Sequence, residues 1–238
     1  MTTLHSATSL STAEFFARVY EAAPRIAVFD CDGTLWGPDS GSAFMWWSME
    51  TGLLSAEATK WLTGRYDRYK RGEVSELAIC GEMVQVYRGI SEARLRAAAA
   101  EFFAHQIEPH IFPEMLELAR SLQSAGVEIW AVSSTCDWVV EEGVKRFGIP
   151  TERVLAACVE CANGVASDLL RDVPTDQGKV ASLARVGIAS PDAVFGNSIH
   201  DAAMLAVARH AFPVNPSAEL ARFSAQHGWA IYYPTKVR

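Results

Sequence analysis

Long hydrophobic runs are missing from this chain. No stretch approaches the ~18 apolar residues that a membrane-spanning helix requires, and residues 1–21 carry no signal-peptide apolar segment. Basic charge is scarce: 21 Lys and Arg face 28 Asp and Glu, for a formal net charge of −7. No basic cluster exceeds the Lys70-Arg71 neighbourhood, so a nucleic-acid backbone finds no electrostatic footing. Cysteine is sparse and scattered, five in 238 residues, which argues against a disulfide framework and for a reduced, cytoplasmic protein. Cys158 and Cys161 form one Cys-x-x-Cys pair, but no second pair or spaced histidines complete a zinc site. The pair lies in a strand-like stretch, whereas a thioredoxin-type motif opens a helix, so both cysteines read as structural. Repeats and low-complexity segments are absent too. Half of the residues are apolar, enough to bury one large domain or one domain with an insert.

The most informative segment is residues 26–36, Ile-Ala-Val-Phe-Asp-Cys-Asp-Gly-Thr-Leu-Trp. An apolar run delivers Asp30 and Asp32 into a turn that Gly33 opens. Two carboxylates at the end of a buried strand repel each other and resist desolvation unless a cation or ligand offsets them. At i and i+2 they share a face of an extended chain. Where the strand turns, a side chain and a backbone carbonyl can converge on one hard cation, and oxygen-only ligation suits Mg²⁺. Read alone, Asp-x-Asp is equally compatible with ordinary acidic caps.

Elsewhere strands and helices alternate. The continuous apolar run at 26–29 predicts a buried parallel strand, and the mainly apolar runs at 127–132 and 193–195 predict further strands. Residues 154–159 and 165–169 predict two short strands joined through Asn163-Gly164, a hairpin signal. Late strands are expected at 210–214 and 229–233. Helices are predicted at 12–20, 114–125, 137–147, 178–186 and 202–209. From Ser42 to Phe103 the chain is almost wholly helical and carries no strand signal. The fold class expected is therefore α/β, a Rossmann-like doubly wound parallel sheet with an inserted all-helical cap. Residues 1–39 and 107–238 would form the core and 40–106 the cap. The chemically interesting residues fall just after strands, the edge where open α/β sheets bind ligands.

Asp30-Cys31-Asp32-Gly33-Thr34-Leu35 resembles the first motif of the haloacid dehalogenase superfamily, Asp-x-Asp-Gly-Thr. Three further segments follow in the family's order. These are the hydroxyl-ended strand Val127 to Thr135, the pair Gly178-Lys179 at a helix start, and Val194-Phe195-Gly196-Asn197-Ser198-Ile199-His200-Asp201. The layout is similar to the phosphoserine-phosphatase-like branch, whose members place a helical cap between the first two motifs. The resemblance implies Mg²⁺ as cofactor and a small-molecule phosphate ester as substrate. It makes Asp30 the nucleophile that carries an aspartyl phosphate. Asp32 would protonate the leaving oxygen, activate water, and touch the metal through its carbonyl. Ser133, with Ser134 and Thr135 as adjacent candidates, would hold phosphoryl oxygens. Lys179 would offset Asp30 and the phosphate together.

The fourth segment departs from the family's Gly-Asp-x-x-x-Asp, because Asn197 stands where the first acid is usual. Asn can ligate through its carbonyl oxygen, and one fewer anion should weaken Mg²⁺ binding. Asp201 keeps its place as a metal ligand or a group behind one, and His200 lies close by. Asp39, nine residues past Asp30, matches the place where phosphoserine-cleaving relatives meet the substrate amine. Arg65, with Arg68 and Arg71, is a candidate for a substrate carboxylate. Phe44, Trp46, Trp47, Trp61, Tyr66 and Tyr69 suit either a helix-bundle core or an aromatic box for an amine. The function expected is a Mg²⁺-dependent phosphatase of a small phosphomonoester, a phosphorylated amino alcohol or amino acid among the candidates. Two alternatives stay open: a phosphonatase or dehalogenase of the same superfamily, with Lys60 and Lys70 the cap lysines, and a phosphate-binding module silenced at Asn197. The oligomeric state is not legible.

Overall fold

The computed structural model describes residues 7–235. In chain order the elements are β1 (Ser9–Leu10), α1 (Thr12–Glu21), β2 (Ile26–Phe29), α2 (Ser40–Glu50), α3 (Ala56–Lys70), α4 (Glu76–Gln85) and α5 (Glu92–Phe102). Then come α6 (Pro113–Ser124), β3 (Glu128–Cys136), α7 (Asp137–Val144), β4 (Val154–Ala162) and β5 (Val165–Asp172). The chain ends with α8 (Gln177–Arg185), β6 (Ala193–Gly196), α9 (Ala202–Val207), β7 (His210–Pro213), α10 (Ala218–His227) and β8 (Ile231–Tyr232).

Six strands form one sheet in the order β5-β4-β3-β2-β6-β7. Neighbours are parallel except β4 and β5, a hairpin whose Asn163 and Gly164 both take positive φ. The sheet is covered on both faces, and the alternation of side chains along each strand says how. Ala27 and Phe29 of β2, Ile129 and Ala131 of β3, and Ala193 and Phe195 of β6 enter one core. The intervening Val28, Trp130, Val132 and Val194 enter a second core with Leu183, Leu205 and Leu220 of α8, α9 and α10. Strands buried on both sides have no polar face, which is why they read as unbroken apolar runs.

Four helices, α2 to α5, are inserted between β2 and β3. Each opens on a side-chain cap, from Asp39, Ser55, Ser75 and Ser91 respectively. Their apolar residues Phe44, Leu62, Ile79, Leu95 and Phe102 join the first core rather than forming one of their own. Backbone hydrogen bonds stitch the end of α4 and the start of α5 to the β4–β5 hairpin: Gly89 to Ala166, Ala166 to Ile90, and Glu92 to Gly164. Arg88 adds an ion pair with Asp168 at 2.8 Å. The insert is thus held against the carboxyl edge of the sheet on one side. Among the described residues no helix is long and apolar enough to cross a membrane.

Two expectations are corrected, and one element is new. β3 does not stop at Val132; it runs through Ser133, Ser134 and Thr135 to Cys136, with a register shift against β4 between Ser133 and Cys136. Ser133 and Cys136 still pair with Ala156 and Ala157 of β4, so the strand continues past its apolar residues. β1 was not expected, because two residues carry no pattern of their own and pair only with β8, far along the chain. The last strand is shorter than 229–233, since only Ile231 and Tyr232 have a partner strand.

Candidate active site

Asp30 is the first residue beyond β2, and its N–H donates to Phe195 O of β6 at 2.9 Å. The next residues turn back at once, with Thr34 and Leu35 N–H both donating to Cys31 O. That turn needs Gly33 at φ +74°, where its missing Cβ also leaves room for Asn197. A Cβ there would stand 1.8 Å from Asn197 Nδ2. Gly33→Ala is therefore expected to lose about 1–3 kcal/mol of stability from backbone strain alone, measured by urea denaturation. An unchanged midpoint would show that the turn does not need a residue held at positive φ.

Asp30 is buried, at 6% exposure. One carboxylate oxygen accepts Lys179 Nζ at 2.7 Å and the other accepts Thr34 Oγ1 at 3.0 Å. Lys179, the third residue of α8, is equally buried. It also donates to Asp201 at 2.5 Å and to Val132 O at 3.2 Å, so all three ammonium hydrogens are committed. Asp201 Oδ2 accepts the backbone N–H groups of Asn197 and Ser198, both at 2.9 Å. Burial, then the charge on Asp201, raises the Asp30 carboxyl to about 7 despite Lys179. Burial alone would lower Lys179, but Asp201 and Asp30 outweigh it and hold the ammonium charged. Two buried carboxylates thus share one cation, and the site is left electronegative.

Asp32 is held by four donors. Its Oδ1 accepts Trp36 Nε1, Ser40 N and Ser40 Oγ, and its Oδ2 accepts Thr135 Oγ1 at 2.6 Å. Burial, then the charge of Asp39, raises its carboxyl, while the Ser40 and Thr135 hydrogen bonds pull it back. A carboxylate fixed in orientation and raised toward neutrality is fitted to give and take a proton. Thr135, named from sequence as a phosphate contact, thus donates its hydroxyl to Asp32. Ser133 Oγ accepts Thr135 N–H at 3.1 Å.

A cavity of ≈ 300 Å³ opens over these groups. Of the residues named from sequence, it brings together Asp30, Asp32, Asp39, Ser133, Ser134, Thr135, Lys179, Asn197 and His200. Asp201 is fully buried behind Lys179 and does not line it. Arg65 is absent from the lining because Glu82 takes its guanidinium through two hydrogen bonds, at 2.8 and 2.6 Å. Asp39 sits at the edge with both oxygens engaged by Ser42, N–H at 3.0 Å and Oγ at 2.7 Å, as the cap of α2. Of the aromatics, Phe44 is core, Trp46 and Trp61 are exposed, and Tyr66 and Tyr69 line the cavity.

Sequence reasoning missed Thr34, Ser40, Asn215 and Glu76. Thr34 stands four residues from Asp30 within the motif itself, so the signal was present. Asn215, which donates to Gly33 O at 3.3 Å and lines the cavity, carried none. Glu76 looked like an ordinary first-turn acid behind the Ser75 cap.

The donor chemistry fits a hard cation. Among the described residues no three His, Cys, Asp or Glu side chains gather as a metal cage. The oxygen-bearing groups on the cavity wall are instead the carboxylates of Asp30 and Asp32 and the amide of Asn197, and its four acids, Asp30, Asp32, Asp39 and Glu76, outnumber its two lysines, Lys70 and Lys179.

A model of the haloacid dehalogenase-like hydrolases matches residues 27–206. A histidinol-phosphatase of Neisseria meningitidis serogroup C (strain 8013) is 25% identical over 217 residues, covering 87% of this chain and 97% of that one. Among solved structures, a protein of unknown function from Bordetella pertussis Tohama I superposes with a TM-score of 0.75 at 24% identity, covering 88% of this chain and 98% of that one. A substrate-bound phosphoserine phosphatase superposes with a TM-score of 0.60 at 14% identity, covering 90% and 94%. The two superpositions speak to the fold.

Proposed function

The chain belongs to the haloacid dehalogenase-like hydrolase family, and on that premise we propose that it is a magnesium-dependent phosphatase of small phosphomonoesters. The observation that carries this reading is the buried trio of Asp30, Lys179 and Asp201, an acid held ready beside a fixed positive charge. Residues 40–106 serve as the cap over a catalytic core of 1–39 and 107–238, of which 1–6 and 236–238 lie outside the described residues.

An Asp30 oxygen attacks phosphorus, forming an acyl phosphate as the bond to the ester oxygen breaks. Asp32 delivers its proton to that leaving oxygen. It then takes a proton from water, whose oxygen attacks phosphorus, releasing phosphate and restoring Asp30. Lys179 lies against the nucleophile and offsets charge on the phosphoryl group as it transfers. Ser133 and Ser134 line the cavity and donate their hydroxyls to phosphoryl oxygens, while Thr135 and Ser40 keep Asp32 oriented. Asp30, Asp32 through its carbonyl, and Asn197 would hold Mg²⁺, with Asp201 fixing the Asn197 backbone behind them. The ion supplies positive charge that makes a carboxylate's approach to a phosphate tolerable.

The name of the Neisseria relative, histidinol-phosphatase, supports a phosphorylated amino alcohol as the substrate class. Turnover of para-nitrophenyl phosphate with Mg²⁺ and its loss in EDTA test the chemistry. No turnover with metal present, alongside tight phosphate binding, would point to a phosphate-binding module instead. Asn197→Asp restores an anionic ligand and should lower the apparent Mg²⁺ constant about tenfold, the worth of one favourable charge contact at a partly solvated site. A titration of turnover against Mg²⁺ checks it, and an unchanged or higher constant would remove Asn197 from the metal site.

A further inference from the structure

The insert contributes Tyr66, Tyr69, Lys70 and Glu76 to the cavity that Asp30 lines. None of them has a role in moving the phosphoryl group. Glu76 is the one whose chemistry is unfinished. Its side chain is only 17% exposed, yet among the described residues no Lys or Arg pairs with it. One oxygen accepts the Tyr69 hydroxyl. The other has only the Cys80 thiol at 3.5 Å, a weak donor. Burial, then the Glu76 carboxylate, pushes the Tyr69 phenol up, so Tyr69 keeps its proton and donates.

Across from Glu76 Oε2, the oxygen that accepts the Tyr69 hydroxyl, stands His200 Nε2 at 3.7 Å, beyond a hydrogen bond. The other ring nitrogen, Nδ1, is 2.8 Å from Asp176. A neutral imidazole that donates Nδ1–H to Asp176 presents Nε2 as an acceptor. Glu76 and His200 are then two acceptors side by side, one from the insert and one from the core; Tyr69 supplies one donor to the Glu76 oxygen that faces His200, and His200 Nε2 has no hydrogen-bond donor among the described residues. A primary ammonium carries three N–H donors and a positive charge, and satisfies both. The neighbouring rings suit it as well, since Lys70 Nζ already lies 5.3 Å from the Tyr66 centroid and 5.7 Å from that of Tyr69. The acid expected from sequence for this task, Asp39, has both oxygens taken by Ser42.

We propose that Glu76 and His200 together seat a protonated amine of the substrate and so determine specificity for phosphorylated amino alcohols. This rests on the phosphatase reading above and adds the residues that select the substrate. The cavity, ≈ 300 Å³, is at the small end of ligand pockets and suits a compact molecule spanning phosphate and amine.

The test compares histidinol phosphate with its desamino analogue, with para-nitrophenyl phosphate as the readout of the chemistry itself. Wild type should favour the amino member in kcat/KM. Glu76→Gln should collapse that preference by about 10- to 100-fold, the worth of a hydrogen bond to a charged group, through KM for the amino member rather than kcat. Wild type that treats the two members alike overturns the proposal, whatever any variant does. So does a Glu76→Gln ratio within about twofold of wild type, a spread smaller than one ordinary hydrogen bond. If wild type fails on para-nitrophenyl phosphate as well, the phosphatase reading falls and takes this one with it. If that turnover persists without amine preference, only the assignment of Glu76 and His200 falls.

Discussion

Asp30→Asn should abolish turnover, by ~10³-fold or more, while the chain stays folded, because an amide is not a nucleophile but fills the same space. Thr34 and Lys179 lie against one side chain of nearly identical shape, and Lys179 keeps Asp201 as its counter-ion. The variant also removes a charge that the fold resists. Burial and Asp201 raise the folded-state carboxyl from 3.8 to about 7. A raised acid means that the folded state holds its proton longer than the unfolded state does. The metal-free protein is therefore fully stable, with respect to this group, below the unfolded value, and loses stability as pH rises toward about 7. Asparagine does not titrate. Thermal melts in EDTA should show Asp30→Asn gaining on wild type between about pH 4 and about pH 7. Retention of a tenth of the activity would contradict the nucleophile assignment. A gap between the two proteins that does not change with pH would contradict the buried-charge account.

Lys179→Met should cost the most stability of any single change at this site, about 3–5 kcal/mol, as expected when one partner of a buried ion pair is removed. The ammonium is 2% exposed and makes three hydrogen bonds, two to carboxylates. Methionine fills much of its volume, so the loss reports charge rather than a cavity. Asp30 and Asp201 would then confront each other with no cation between them. Turnover should vanish along with stability, since nothing offsets charge at the nucleophile. Neutralising one acid should relieve the strain, so Asp30→Asn in the Lys179→Met background is expected to recover part of the lost stability. Urea denaturation of the two single variants and the double variant measures this. Strictly additive losses would show that Lys179 and Asp30 do not interact.

What could be read beforehand was local in the chain. Asp30, Asp32 and Gly33 fall within one turn, and the strand before them is announced by its unbroken apolar run. Lys179 was legible because a lysine in the first turn of a helix opposes the helix dipole unless an anion waits for it. The links that complete the site are distant in sequence and left no local mark. Thr135 reaches Asp32 across 103 positions, and nothing about a Ser-Ser-Thr run says which carboxylate it will meet. β3 outlasts its apolar segment because Ser133 and Cys136 still pair with β4, also distant in sequence. Arg65 failed for the opposite reason. A charged residue on a helix was open to any partner, and the neighbouring α4 supplied Glu82 before a substrate could. Glu76 was invisible because an acid in the first turn of a helix draws no notice until the opposite wall of the cavity is known.

The most direct measurement is acid quenching during turnover with Mg²⁺ and a phosphate-labelled ester, followed by digestion and mapping of the labelled peptide. The predicted result is a hydroxylamine-labile label on the peptide containing Asp30, absent from Asp30→Asn. Label on any other residue, or steady hydrolysis with no labelled peptide, would contradict the covalent route.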